Sequence, residues 1–205
     1  MFASLPACRQ SSDASASAAA ADAADRGAVR YSLDDGIDIC FRQVAAALGP
    51  EARVAELTSF FAAGERIDGE ESDHPQGAMT LCTVDYADPR QGGRLLNLRM
   101  DPRTGVFAAP TPVTPAADAG ETHLVALSAV QASKLQGFLD RQRKRLGRTY
   151  AVYAVEGVRL STLGDAHVLR ADVAGRLASG DARHSGDAAL SLDGRRVLYN
   201  RLAEP

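Results

Sequence analysis

Ala78-Met79-Thr80-Leu81-Cys82-Thr83-Val84-Asp85-Tyr86 leads into Asp88-Pro89-Arg90-Gln91-Gly92-Gly93 and resumes as Leu95-Leu96-Asn97-Leu98-Arg99-Met100, ahead of Asp101-Pro102-Arg103-Thr104-Gly105. Two β-rich runs about a Pro/Gly break predict a hairpin. In the second run Leu96, Leu98 and Met100 alternate with Leu95, Asn97 and Arg99, so one face is wholly apolar and the other half polar. A sheet with one apolar face must be covered, and the segment just upstream can do it. There Ile37, Cys40, Phe41, Val44 and Leu48 fall on one side of a helix that Gly49-Pro50 ends. Its start is set at Ser32, whose hydroxyl can cap the turn while Asp35 reaches back. Between helix and hairpin, Arg53 to Phe61 is a β-rich run and predicts a strand, and Glu65 to His74 predicts an acidic, solvated loop.

The second half repeats this order. Ser128-Ala129-Val130-Gln131 has capping-box spacing, and the helix it starts places Leu135, Phe138, Leu139 and Leu146 inward before Gly147. Three β-rich runs follow, Tyr150 to Leu160, His167 to Leu177 and Ala188 to Tyr199, with breaks at Gly164-Asp165 and Gly180 to Gly186. Leu192-Asp193-Gly194-Arg195-Arg196-Val197 echoes Met100-Asp101-Pro102-Arg103-Thr104-Gly105-Val106, so helix starts and terminal turns keep nearly one period. The fold class expected is α+β, as two α-β-β-β modules, each an amphipathic helix packed on an antiparallel sheet. They occupy residues 32–109 and 120–205. Residues 110–119, with Pro110, Pro112 and Pro115, join them as a stiff linker.

The chain has 205 residues, of which 45% are hydrophobic, enough for an ordinary core. A net charge of −3 without a basic stripe gives no footprint for nucleic acid. Arginine outnumbers lysine 21 to two, so the concentrated charge at Arg141, Arg143, Lys144, Arg145 and Arg148 is notable mainly for its place at a helix end. The helix dipole favours cations there, and their stems cover apolar surface. An acidic partner or lipid headgroups are the functional alternatives.

Leu5-Pro6-Ala7-Cys8 resembles a bacterial lipobox, in which a Leu three positions before the Cys and a small residue just before it mark the lipid-bearing thiol. Proline in the middle departs from the usual small or β-branched residue. Gln10 to Asp25 is almost wholly Ser, Ala and Asp and has no apolar periodicity, so residues 1–31 are expected to be a disordered tether. The resemblance implies a lipid anchor at Cys8 and a periplasmic, membrane-tethered head, with a start upstream of Met1 or a trimmed signal. If Met1 is the true start, the chain is cytoplasmic and Cys8 an ordinary thiol.

Leu98, Met100, Asp101, Pro102, Thr104, Gly105 and Val106, closing a helix-plus-strands unit, resemble the PepSY module of bacterial envelope proteins. Such modules are non-catalytic, and some restrain proteases or regulate envelope enzymes; the resemblance covers Ser32 to Phe107. Physically, Asp-Pro opens a turn and Gly accepts the positive φ that closes it.

In an oxidising compartment Cys40 and Cys82 can pair, closing a loop of about 40 residues, or remain two buried thiols. The sequence has no Gly-x-Ser-x-Gly, His-Glu-x-x-His, Gly-x-Gly-x-x-Gly or Walker pattern, and its four histidines are widely spaced. His184-Ser185 with Asp181 is more simply turn chemistry than half a triad. No catalytic, metal or cofactor residue is assigned. The expected function is a non-catalytic envelope lipoprotein that binds, and in one form inhibits, another envelope protein. The alternative is a ligand-binding protein or enzyme whose site lies in the concave face of one curved antiparallel sheet.

Overall fold

The structure, a computed structural model, describes residues 29–70, 73–114 and 123–204. Its class is α+β, a mixture of antiparallel sheet and a few helices. The first helix, α1 (Ile39–Leu48), is followed by β1 (Arg53–Phe61), the single turn α2 (Glu65–Asp68), β2 (Met79–Asp88) and β3 (Arg94–Met100). Two short strands, β4 (Thr111–Pro112) and β5 (Val125–Ala126), precede the longer helix α3 (Lys134–Thr149). The chain ends in β6 (Tyr150–Leu163), β7 (Ala166–Leu177), β8 (Arg183–Leu190) and β9 (Val197–Asn200).

All pairings are antiparallel, and the strands form one nine-stranded sheet in the order β4-β3-β2-β1-β6-β7-β8-β9, with β5 beside the start of β1. Two meanders therefore meet at a seam between β1 and β6. There Leu57 faces Leu160 and Ser59 faces Val158, and the Ser59 hydroxyl donates to the Val158 carbonyl at 3.1 Å. The sequence leaves open whether the two halves share a sheet; a shared one forms because both strands at the seam are apolar on the same face and bury each other there.

The β2–β3 hairpin has the predicted form. Asp88 accepts from the Arg90 amide at 2.9 Å, and Gly92 and Gly93 supply the positive φ of the turn. Register places Cys82 opposite Met100, Val84 opposite Leu98 and Tyr86 opposite Leu96, all buried. Those side chains share one core with Ile39, Cys40, Phe41 and Val44 of α1 and with Leu135, Phe138, Leu139 and Leu146 of α3. Both long helices therefore lie over the same face of the sheet. Cys40 and Cys82 are joined in a disulfide, with their Cα atoms 5.6 Å apart and both residues fully buried.

Several local expectations shift. The capping box at Ser32 and Asp35 is present, but it closes a 3-10 turn, Leu33–Asp35; Gly36 at φ 106° breaks the path, and α1 starts only after Asp38. Likewise Ser128 lies in a 3-10 turn, and α3 begins after Ser133 and passes through Gly147 to Thr149. Ala188 to Tyr199 is not one strand, because Ser191 and Asp193 fold a turn between β8 and β9. The acidic segment is not wholly solvated either. Ile67 of α2 is fully buried with Ala63, Ala154 and Ala174 on the face away from the long helices, and Asp68 binds Arg183 at 3.1 Å. Thr111 and Pro112 of the expected linker pair with β3.

The two Asp turns do match. Asp101 accepts from the Arg103 amide at 2.9 Å and Asp193 from the Arg195 amide at 3.1 Å, while Gly105 and Gly194 have φ of 71° and 66°. Both carboxyls are held below the usual range, Asp101 chiefly by the Arg103 amide and Asp193 chiefly by the Ser191 hydroxyl.

Candidate functional site

The face of the sheet away from α1 and α3 carries the other half of each alternation, polar over much of its area but apolar at Phe60, Leu81 and Ala189 and under Ile67. Cross-strand register lines these residues into two adjacent rows. One runs Arg99, Thr83, Thr58, Arg159, Arg170, Ala189 and Tyr199; the other runs Leu81, Phe60, Gly157, Asp172 and Asp187. Arginines of the first row reach diagonally to aspartates of the second. Arg159 binds Asp172 through two hydrogen bonds of 2.8 and 2.7 Å, and Arg170 binds Asp187 at 2.6 Å. Asp187 also accepts from the Tyr199 hydroxyl at 2.5 Å and from Arg201 at 3.0 Å.

Burial alone would raise the Asp187 pKa, but the Tyr199 and Arg170 hydrogen bonds outweigh it and hold the carboxyl below its ordinary value. Burial pushes the Tyr199 phenol up, and donation to Asp187 adds to that. At the other end Asn97 donates to both Thr83 and Asp85, at 2.9 and 2.6 Å.

Between the rows lies an open groove of about 580 Å³, walled by Arg159, Arg170, Asp172, Ser185 and Asp187 beside Phe60. The lack of a side chain at Gly157 leaves room for two of its lining residues: a Cβ there would stand 3.0 Å from the Phe60 ring and 2.8 Å from the Asp172 carboxylate. Arg170 Nε is buried in this groove's wall without a hydrogen-bond partner among the described residues. A second recess, of about 880 Å³, lies between the turn after α1 and the β2–β3 hairpin, against Pro50, Tyr86, Pro89 and Pro110. Burial, first, raises the Tyr86 pKa there, and Asp88 adds to it.

The residues singled out in the sequence are scattered. On α3, Arg143 pairs with Asp140 at 3.3 Å and Arg145 with Glu204 at 3.6 Å, whereas Arg141, Lys144 and Arg148 make no ion pair among the described residues. His184 and Ser185 do not form a hydrolytic pair. The Tyr150 hydroxyl donates to the Leu202 carbonyl at 2.9 Å, so at 2.8 Å it accepts from His184 Nδ1, while Ser185 accepts from Arg183. His167 Nε2 sits 3.0 Å from the Ala55 carbonyl. Among the described residues no three His, Cys, Asp or Glu come together as metal ligands, and no helix is long and apolar enough to cross a membrane. Cys8 lies outside the described residues, as does residues 1–28 of the expected tether; Arg30 and Tyr31 are already hydrogen-bonded to the head through Pro102 and Met79.

The Arg–Asp rows were not found from sequence. Their signal is present in Arg159-Leu160, in Arg170-Ala171-Asp172-Val173 and in Asp187-Ala188, where a charge alternates with a core residue. Only the register reveals that they adjoin. No family model, curated protein or solved structure matches the chain.

Proposed function

We propose that the chain is a non-catalytic cell-envelope lipoprotein, anchored through Cys8, that binds another envelope protein and in its most specific form inhibits an envelope enzyme. The observation that carries this is the buried Cys40–Cys82 disulfide, since such bonds persist in oxidising compartments and are rare where thiols are kept reduced. The long Ser/Ala/Asp segment behind Cys8 would let the head stand clear of a membrane. The head itself offers what a protein partner can use, a broad polar sheet face and free strand ends. The order helix, then meander, on each side of the β1–β6 seam supports two fused α-β-β-β modules, 32–109 and 120–205.

Full-length expression with a labelled fatty acid tests the anchor: label in the wild type and none in Cys8→Ala is expected, and unlabelled, equally soluble protein from both would reject it. In-cell crosslinking followed by mass spectrometry tests the binding role, with one recurrent envelope partner expected.

A second reading is favoured by the groove at Phe60, where Arg159, Arg170, Ser185 and Asp187 converge and Arg170 Nε has no hydrogen-bond partner among the described residues. There the chain would bind a small polar ligand or act on it. A head that takes up one metabolite tightly, with no protein crosslinked, would select this alternative.

A further inference from the structure

Resting on the binding role proposed above, we infer that β9 is the docking edge and that its occupant is an extended acidic segment of the partner protein, added as a tenth strand. The sheet has two outer edges, and they differ. At one end β4 is two residues long and one of them is Pro112, which has no N–H to offer. At the other, β9 runs Val197-Leu198-Tyr199-Asn200, free of proline, with Val197 46% and Leu198 38% exposed. The Arg201 amide donates inward to the Asp187 carbonyl at 2.8 Å. By antiparallel alternation the backbone groups of Tyr199 also face β8, and those of Leu198 and Asn200 face outward, ready for another strand.

Charge selects what can add there. Helix α3 runs alongside β9: a Cβ on Gly194 would meet the Lys134 side chain, Asn200 donates to Gln142 at 3.0 Å, and Arg145 pairs with Glu204. Lys134, Arg141, Arg145 and Arg148 are spaced by seven, four and three residues, so they form one stripe on that flank of the helix. The stripe is about 21 Å long at 1.5 Å per residue, the span of about six strand residues. Arg195, Arg196 and Arg201 bracket the strand itself. Arg145 is paired with Glu204, Arg195 with Asp193 and Arg201 with Asp187, and the remaining Lys134, Arg141, Arg148 and Arg196 leave this corner net cationic on a chain whose net charge is −3. A second copy pairing edge to edge would set these arginines against one another, which disfavours self-association. A strand with acidic side chains on the helix side meets the stripe instead, and steering by the same cations speeds its approach.

The test uses the intact disulfide-bonded chain and a fluorescent octapeptide of alternating Glu and Val, beside a Lys-Val counterpart. Two N-methylated forms of the Glu-Val peptide block alternate amide registers. The Glu-Val peptide is expected to bind, to slow amide exchange at Leu198 and Asn200, and to tolerate methylation in one register only. Arg141→Glu with Arg148→Glu should weaken it about tenfold, ~1.4 kcal/mol, with unfolding unchanged. Arg143→Glu, on the other flank of α3, should leave it nearly intact.

No binding of the acidic peptide, equal binding of the Lys-Val peptide, equal loss in Arg143→Glu, or protection at β4 or the Phe60 groove instead of β9 would each overturn the inference. So would phosphatidylglycerol vesicles that bind through the same cations while β9 stays unprotected, or a dimer that protects β9. If crosslinking in cells captures a partner through residues away from β9, the docking edge fails while the binding role stands. If no partner is captured, the binding role itself has failed.

Discussion

On the N-terminal side of the β1–β6 seam, α1 is short, buries Ile39, Cys40, Phe41 and Val44, and is tied to β2 by the Cys40–Cys82 bond. On the C-terminal side α3 is sixteen residues long, lies over β6 and β7 of fourteen and twelve residues, and has no covalent tie. Its sheet is instead braced on the open face by Arg159–Asp172 and Arg170–Asp187. The same order of elements is thus secured in two ways. Where the helix is too short to bury much apolar surface, a cross-link restrains the unfolded chain; where helix and strands are long, packing carries the load and charges fill the open face.

The largest test of that contrast is removal of the bond. Cys40→Ala with Cys82→Ala is expected to cost about 4 kcal/mol in urea unfolding, from a closed loop of about 40 residues. Hydrogen exchange should rise first in α1, β2 and β3 and leave β6 and β7 protected. Equal loosening of both halves would mean that the bond supports the whole sheet and that the contrast is false.

Next in size is the seam. Leu160 is fully buried opposite Leu57, and Leu160→Ala should cost about 3 kcal/mol through the lost contacts and the cavity left behind. Because both halves share this side chain, their exchange should rise together. A rise confined to β6 to β9 would show that the halves fold independently.

Asp187→Ala removes the acceptor shared by Arg170, Tyr199 and Arg201 and should cost about 1.5 kcal/mol, moderated by the partial exposure of the two arginines. The folded pKa of Asp187 is lowered, so its contribution is fully present above the unfolded value near 3.8 and is lost as pH falls through the folded value. Acid titration of Asp187→Asn should therefore show a shallower loss of stability below about pH 4. An unchanged acid limb would assign the loss to Asp101 and Asp193, whose carboxyls are lowered too.

The smallest effect compares the echoing turns. Gly105→Ala and Gly194→Ala each force a side chain into the left-handed region, at about 1 kcal/mol. The second should cost more, because its Cβ would lie 2.4 Å from the Lys134 Cβ, held close to the α3 backbone, whereas the nearest atom at Gly105 is Cδ of the longer, more adaptable Arg30 side chain at 2.7 Å. Equal thermal shifts in the two variants would mean that α3 moves aside freely and that the docking corner is loosely held.

Much was legible in the sequence because it is written locally. Alternation in Leu96, Leu98 and Met100 fixed which side of β3 is buried, and helical spacing did the same for Leu135, Phe138, Leu139 and Leu146. Asp-x-x-x-Gly and Asp-Gly marked both terminal turns, since turn chemistry depends on a few neighbouring residues. The first helix start was misplaced because a capping box stabilises any first turn, including a 3-10 turn that Gly36 then interrupts, and the second because the box spaced at Ser128 and Gln131 does not form: neither the 3-10 turn there nor α3 has a side-chain cap.

What only the tertiary structure decided is whatever depends on register between distant strands. Cys40 faces Cys82 because α1 lies over the side of β2 that carries Val84 and Tyr86, and a slip of one residue would have turned that thiol away. The Arg–Asp rows, the shared seam at Leu57 and Leu160, and the exposed β9 edge beside the α3 cations arise in the same way. Each joins residues far apart in the chain, and side-chain period two means that their meeting is settled by pairing, not by composition.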